Sequence, residues 1–166
     1  NNQQSGGSKP ADSAGAAGGP VRWDAPDGWK QVQPSVQMRD AEYLVPAEDG
    51  PPATMTVYFF AKNSGGTVEQ NINRWTKQFE PDQGGEPERG ERTISGMIVH
   101  TFDVTGTFDG GMSMGGGEPR PGQRMYAAIA MAPQGKAVFK LLGPKDTVSE
   151  NIDAFEKLLS SLRPAG

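Results

Sequence analysis

The sequence predicts an α+β fold, a mainly antiparallel β-sheet flanked by amphipathic helices, and three observations carry that expectation. Short runs of β-branched and aromatic residues recur between breakers containing Gly, Pro and Asp. The connections between these runs are mostly hairpin length rather than alternating crossovers, which favours antiparallel pairing. Two segments also share one pattern, Thr67-Val68-Glu69-Gln70-Asn71-Ile72 and Thr147-Val148-Ser149-Glu150-Asn151-Ile152. In each, a Thr stands where a helix N-cap belongs and a Gln or Glu follows three residues later. The spacing therefore predicts a reciprocal capping box at both helix starts.

Residues 1–20 are almost entirely Gly, Ala, Ser, Asn and Gln, with no aromatic and no large aliphatic side chain before Val21. Such a segment cannot offset its ordering entropy by burial, so it is expected to be a disordered tether, with one α+β domain over 21–166. The domain opens on Trp23, Pro26, Gly28 and Trp29, a W-x-x-P-x-G-W pattern in which Pro-Asp-Gly predicts a turn and Trp29 to Val32 a first extended piece. Met38 to Val45 reads as a strand with Ala41, Tyr43 and Val45 on one face, and Thr54 to Phe60 as another. The first helix then carries the stripe Val68, Ile72, Trp75 and Phe79 and is expected to end before Pro81.

Pro81 to Gly90 reads as a polar loop. Arg92 to Phe108 reads as extended chain, one long strand or two shorter ones, with Ile94, Ile98, His100, Phe102, Val104 and Phe108 on its drier face. Gly96 and Gly106 are candidate sites for a bend or bulge. Asp109 to Gly122 is expected to be a long loop, followed by strands at Gln123–Ala132 and Ala137–Leu142. Ala128, Ala130 and Ala132 make one face small enough for close approach of a helix. The closing helix carries Val148, Ile152, Phe155, Leu158, Leu159 and Leu162 and is expected to stop before Pro164.

The W-x-x-P-x-G-W opening, the apolar strands, Val138-Phe139-Lys140-Leu141-Leu142 running into Gly143-Pro144, and the amphipathic Phe155 to Arg163 together resemble the PsbP-like group. That group includes the photosystem II extrinsic subunit and Ran-binding relatives of the same α/β/α sandwich. The resemblance covers most of Val21 to Arg163. It implies a non-enzymatic interaction domain and carries over no catalytic residue.

Composition narrows the function classes. A net charge of −4 with scattered Lys and Arg argues against nucleic acid as a partner, because phosphate binding needs clustered cations. The absence of cysteine removes disulfides, thiolate metal sites and a Cys nucleophile. No apolar run approaches bilayer length. A polar tether beginning at Asn1 without an initiator Met suggests a lipoprotein of the cell envelope or periplasm whose signal peptide and lipid-bearing Cys have been removed, with membrane tethering through that anchor.

His100 is the sole histidine, and its strand company of Ile98 and Phe102 favours a packing role over that of a base. Asp103 and Asp109 are candidate paired carboxylates beside the long loop. Met112 and Met114, with His100, offer soft ligands to Cu(I), although two methionines are few for a copper tract. No cofactor is implied. The expected function is recognition of a protein partner through loops on a rigid sheet, with His100, Asp103, Asp109, Met112 and Met114 as candidate binding residues. A small-ligand or metal-binding envelope protein is the alternative and a hydrolase the distant one.

Overall fold

A computed structural model describes residues 19–34, 39–81, 87–109 and 120–165. Residues 1–18 of the expected tether, the centre of the loop expected before Gly90, and Met112 and Met114 lie outside these residues. The strands are β1 (Val21–Arg22), β2 (Lys30–Val32), β3 (Ala41–Val45), β4 (Ala53–Ala61), β5 (Phe79–Pro81), β6 (Glu88–Ile94), β7 (Met97–Phe108), β8 (Arg120–Ala132), β9 (Gly135–Pro144) and β10 (Arg163–Pro164). The helices are α1 (Val68–Lys77), α2 (Lys145–Glu150) and α3 (Ile152–Ser160).

One sheet runs in the order β2-β3-β4-β9-β8-β7-β5, with β6 also paired to β7, and every pairing is antiparallel. Strand alternation gives this sheet two apolar faces, and a helix layer covers each. On one face Met55, Val57, Ala128, Ala130, Phe139 and Leu141 pack under Phe155, Leu158 and Leu159 of α3. On the other, Phe102, Val104, Met125, Ala127 and Ile129 pack under Ile72 and Trp75 of α1. The small face made by Ala128 and Ala130 therefore meets α3, while α1 lies across the sheet from it.

Of the two alternatives for residues 92–108, the chain takes two shorter strands, folded back on each other as a hairpin at Ser95–Gly96. Ile94 pairs with Met97, and both turn residues have positive φ, 52° at Ser95 and 81° at Gly96. That is the backbone a two-residue primed turn needs to match strand twist. Residues 88–90 accordingly belong to β6 rather than to a loop. Gly106 sits at a register irregularity of the β7–β8 ladder, in line with its expected role. Phe79 leaves the helix for β5 but stays buried in the α1-side core, its ring 5.1 Å from that of Phe108.

The two halves of the near-repeat diverge at their caps and agree at their Asn. Thr67 accepts from the Gln70 N–H at 3.0 Å while the Gln70 side chain accepts from the Thr67 N–H at 2.9 Å, a complete capping box. Thr147 is no cap. The chain passes from β9 straight into α2 at Pro144, so Thr147 lies within the helix and its hydroxyl donates to the Pro51 carbonyl at 2.7 Å. In both copies, however, the Asn amide donates to the carbonyl of the Thr four residues earlier and to a neighbouring loop. Asn71 reaches Thr67 at 2.8 Å and Gly65 at 3.0 Å; Asn151 reaches Thr147 and Pro46, each at 2.9 Å. Asn151 additionally accepts from the Trp29 indole N–H at 3.1 Å, joining the W-x-x-P-x-G-W segment to the α2–α3 junction. Asn151→Ala leaves these partly buried groups unpaired and is expected to cost about 1–3 kcal/mol; urea unfolding reads this out, and a cost near zero would mean that water replaces the bonds.

Polar locks fix the helices to the sheet. Arg124 clasps Asp103 through two bonds of 3.0 and 2.7 Å and donates to Ser149 of α2 at 2.9 Å. Arg92 and Tyr126 both donate to the Glu156 carboxylate of α3. Hydrogen bonding by Arg92 holds Glu156 below the usual carboxylate range, whereas burial, aided by the Glu156 charge, pushes the Tyr126 phenol up to about 12. The β1–β10 pair closes the ends of the domain against each other, with Asp24 and Arg163 ion-paired at 3.1 Å.

Candidate functional surface on the helix α1 face

The length of α1 determines what the sheet leaves open. Ten helical residues span roughly 15 Å, whereas the thirteen residues of β8 run roughly 40 Å. The helix covers the middle of its face and stops short of the end formed by the β6–β7 and β8–β9 hairpins. Ile98 and Met131, cross-strand partners at that end, are 45% and 39% exposed. Ile98 thus departs from the dry-face expectation: strand parity is as read, but no helix reaches it.

Beside this pair lies a groove of about 590 Å³ between the β4–α1 connection and the β8–β9 hairpin. Ala61, Val68 and Met131 give it apolar walls, Gln70 contributes an amide, and Lys62 and Lys136 are its charged groups. None of its described lining residues is a carboxylate. A second hollow of about 610 Å³ on the other side of the domain is opposite in character, with Asp24, Asp27, Glu150 and Asp153 against a single Lys157. Among the described residues, no group of three His, Asp or Glu side chains is placed to hold a metal ion.

The structure separates the residues singled out from sequence. His100 sits on the α1 face, two residues from Ile98, with Nδ1 3.7 Å from Glu91 Oε1 on β6. Asp103 projects from the opposite face, where Arg124 engages both of its oxygens. Asp109 lies at the far end of β7, its backbone N–H bonded to the Gln78 carbonyl at 2.6 Å. Asp103 is thus tied down as part of a lock, and His100 alone belongs to the groove end. Odd spacing along a strand sends two side chains to opposite faces, a signal that was available for His100 and Asp103. Ile98 with Met131 was missed, because its exposure depends on how far α1 extends.

The outer edge of β6 bears alternating charge, Glu88, Arg89, Glu91 and Arg92, with Arg89 ion-paired to Glu69 of α1 at 2.6 Å. Charged side chains on an open edge discourage indiscriminate strand addition. The apolar end beside it is therefore the more permissive contact surface.

No family model matches the sequence, and no curated protein matches it. Solved structures do. Cyanobacterial PsbP (CyanoP) from Synechocystis sp. PCC 6803 superposes with a TM-score of 0.59 at 14% identity, covering 96% of this chain and 98% of that one. LpqN of Mycobacterium tuberculosis, involved in cell envelope biogenesis, gives 0.58 at 13% identity over 92% and 87% of the two chains. A Pseudomonas aeruginosa protein of unknown function, described as a putative regulator, gives 0.57 at 11% identity over 83% and 98%. With a helix layer on each face of one antiparallel sheet, and this likeness running over most of its length, the chain has the PsbP-like α/β/α sandwich fold.

Proposed function

We propose that this chain is a non-enzymatic binding or assembly domain of the cell envelope, acting on the extracytoplasmic side, and that it recognises a protein partner through the open end of its α1 face. The observation that carries the reading is the exposed Ile98–Met131 pair beside a groove whose only charged lining groups among the described residues are Lys62 and Lys136. Apolar walls with two lysines in the lining, Lys62 exposed and Lys136 largely buried, fit a partner segment that presents an apolar side chain beside an acidic one. The envelope role of LpqN, which shares the fold, supports the location. The engagement of Asp103 by Arg124 supports a structural rather than catalytic use of that carboxylate.

The test is a double variant, Ile98→Asp with Met131→Asp. Both side chains are substantially solvated, so the variant is expected to keep the melting temperature of the wild type within a few degrees. It is also expected to lose at least tenfold in affinity for an envelope protein that binds the wild type at one-to-one stoichiometry. Undiminished binding by the folded double variant would place recognition elsewhere on the domain.

A further inference from the structure

The outer edge of β6 is open: the strand pairs with β7 along one side, and no other described strand pairs with it. The hairpin turn fixes which of its backbone groups face outward. A two-residue turn closes on a pair that exchanges both N–H···O bonds, here Ile94 with Met97, and such pairs alternate along an antiparallel ladder. The register runs unbroken from that pair to Glu88 and Asp103, so Glu88, Gly90 and Arg92 turn their backbone groups to β7. Arg89, Glu91 and Thr93 therefore turn their N–H and C=O groups away from the sheet. Residues 88–91 are exposed, and over 88–92 the edge reads Glu, Arg, Gly, Glu, Arg.

That edge is complementary to itself. Antiparallel addition of a second β6 needs outward-facing residues opposite one another, so odd-numbered residues must meet odd-numbered ones and the two-fold axis must pass through a residue. With the axis at Gly90, Arg89 stands opposite Glu91 and Glu88 opposite Arg92, on both sides of the axis. An axis at Arg89, Glu91, Glu88 or Arg92 would instead set that residue against its own copy, and like charges directly opposite are destabilising. At the Gly90 axis the pair is a non-hydrogen-bonded one, where the backbones come closest, about 4.5 Å between Cα atoms, and neither side carries a Cβ. Pro87 then faces Thr93, whose N–H its carbonyl can accept, and it has no N–H of its own to leave unmet. Within the chain Arg89 pairs with Glu69, Arg92 with Glu156, and Glu91 stands 3.7 Å from His100. The Arg89 and Glu91 side chains are nevertheless 46% and 63% exposed, open to a further partner. Exposed ion pairs contribute little each, so the charges select the register while the backbone bonds carry the association.

We propose that a second copy of this chain docks on the free edge of β6, forming a two-fold dimer with Gly90 on the axis and one sheet continuous through both copies. The axis runs perpendicular to the sheet, so the two Ile98–Met131 ends lie at opposite ends of the dimer and both stay open. The edge and that surface can therefore fail independently. Analytical ultracentrifugation of the full chain, from about 5 to 500 µM in low salt, is expected to show reversible dimerisation. Raising the salt to about 0.5 M is expected to weaken it at least threefold. Arg89→Glu and Glu91→Arg, at exposed positions, each place like charges opposite one another across the axis and are each expected to weaken self-association at least tenfold. Mixed one to one, the two variants restore opposite charges at both pairs, and the mixture is expected to dimerise within about fivefold of wild type. Recovery in the mixture also shows that both variants are folded. By NMR, the amides of Arg89, Glu91 and Thr93 are expected to gain protection from exchange as the dimer forms. A wild type that stays monomeric at about 500 µM, single variants that associate as tightly as wild type, a mixture as monomeric as its components, or new protection that spares these amides would each overturn the proposal.

Discussion

Replacing Trp23 by Ala is expected to remove about 3–5 kcal/mol of stability, the usual cost of deleting a fully buried tryptophan. Trp23 has no exposed surface, meets the Phe139 ring edge-on at 5.2 Å and donates its indole N–H to the Tyr43 hydroxyl at 3.1 Å. The substitution opens a cavity between the N-terminal segment and the sheet and also removes the indole donor to the Tyr43 hydroxyl. For a domain of this size each kcal/mol moves the melting temperature by roughly 2–4 °C, so a fall of about 10–15 °C is expected in calorimetry. Ile98→Ala is the informative comparison. An isoleucine that is 45% exposed should change stability by no more than about 0.5 kcal/mol. If Ile98→Ala cost as much as Trp23→Ala, the open end of the α1 face would have to be covered.

Lys140→Met should make the protein more stable at pH 7, and the gain should disappear as the pH rises. The ordinary lysine value of 10.5 falls to about 8 in the folded chain, chiefly through burial. Between those limits the unfolded chain binds more protons than the folded one, so wild-type stability rises with pH across the window. Below about pH 8 the full penalty applies. At about 1.4 kcal/mol per pH unit the penalty is about 3 kcal/mol. Two cation–π contacts, with Tyr58 and Trp75, at about 0.5–1 kcal/mol each offset part of it, leaving an expected gain of about 1–2 kcal/mol for Lys140→Met at pH 7. Denaturant unfolding of both proteins from pH 7 to 10.5 checks this. A difference independent of pH would mean that Lys140 is already compensated.

What the sequence made legible was mostly local. The capping box of Thr67 and Gln70, the β3 alternation of Ala41, Tyr43 and Val45, and the burial of Val148, Phe155, Leu159 and Leu162 all follow from patterns within a few residues. The same cap pattern misled at Thr147, because β9 feeds into α2 with no intervening loop and the helix has already begun at Lys145. The β6–β7 hairpin was hidden by its turn: Ser95 occupies a positive-φ position that Asn or Asp more often announces. Asn71 and Asn151, which had no evident task in the sequence, proved to be the part of the near-repeat that both copies use alike.

The candidate surface was less legible for a physical reason. Parity assigned Ile98 to the same face as Phe102 and Val104, yet only the mismatch between a ten-residue helix and a thirteen-residue strand decides which of them stays exposed. Lys140 stood in the sequence between Phe139 and Leu141, where alternation alone would send it to a solvated face. Instead α1 lies over that face, and the lysine is partly covered, its ammonium 5.5 Å from the centroid of the Trp75 ring. Both features are properties of how layers overlap, which no single segment records.

The proposed docking surface is tested most directly by hydrogen–deuterium exchange on the full chain, free and bound to a stoichiometric envelope partner. New protection should concentrate in the β6–β7 turn at Ser95–Gly96, in the β8–β9 turn and in the β4–α1 connection, which together frame Ile98, Met131 and the groove. Protection confined instead to the acidic hollow around Asp24, Glu150 and Asp153, with these turns exchanging as in the free protein, would contradict it.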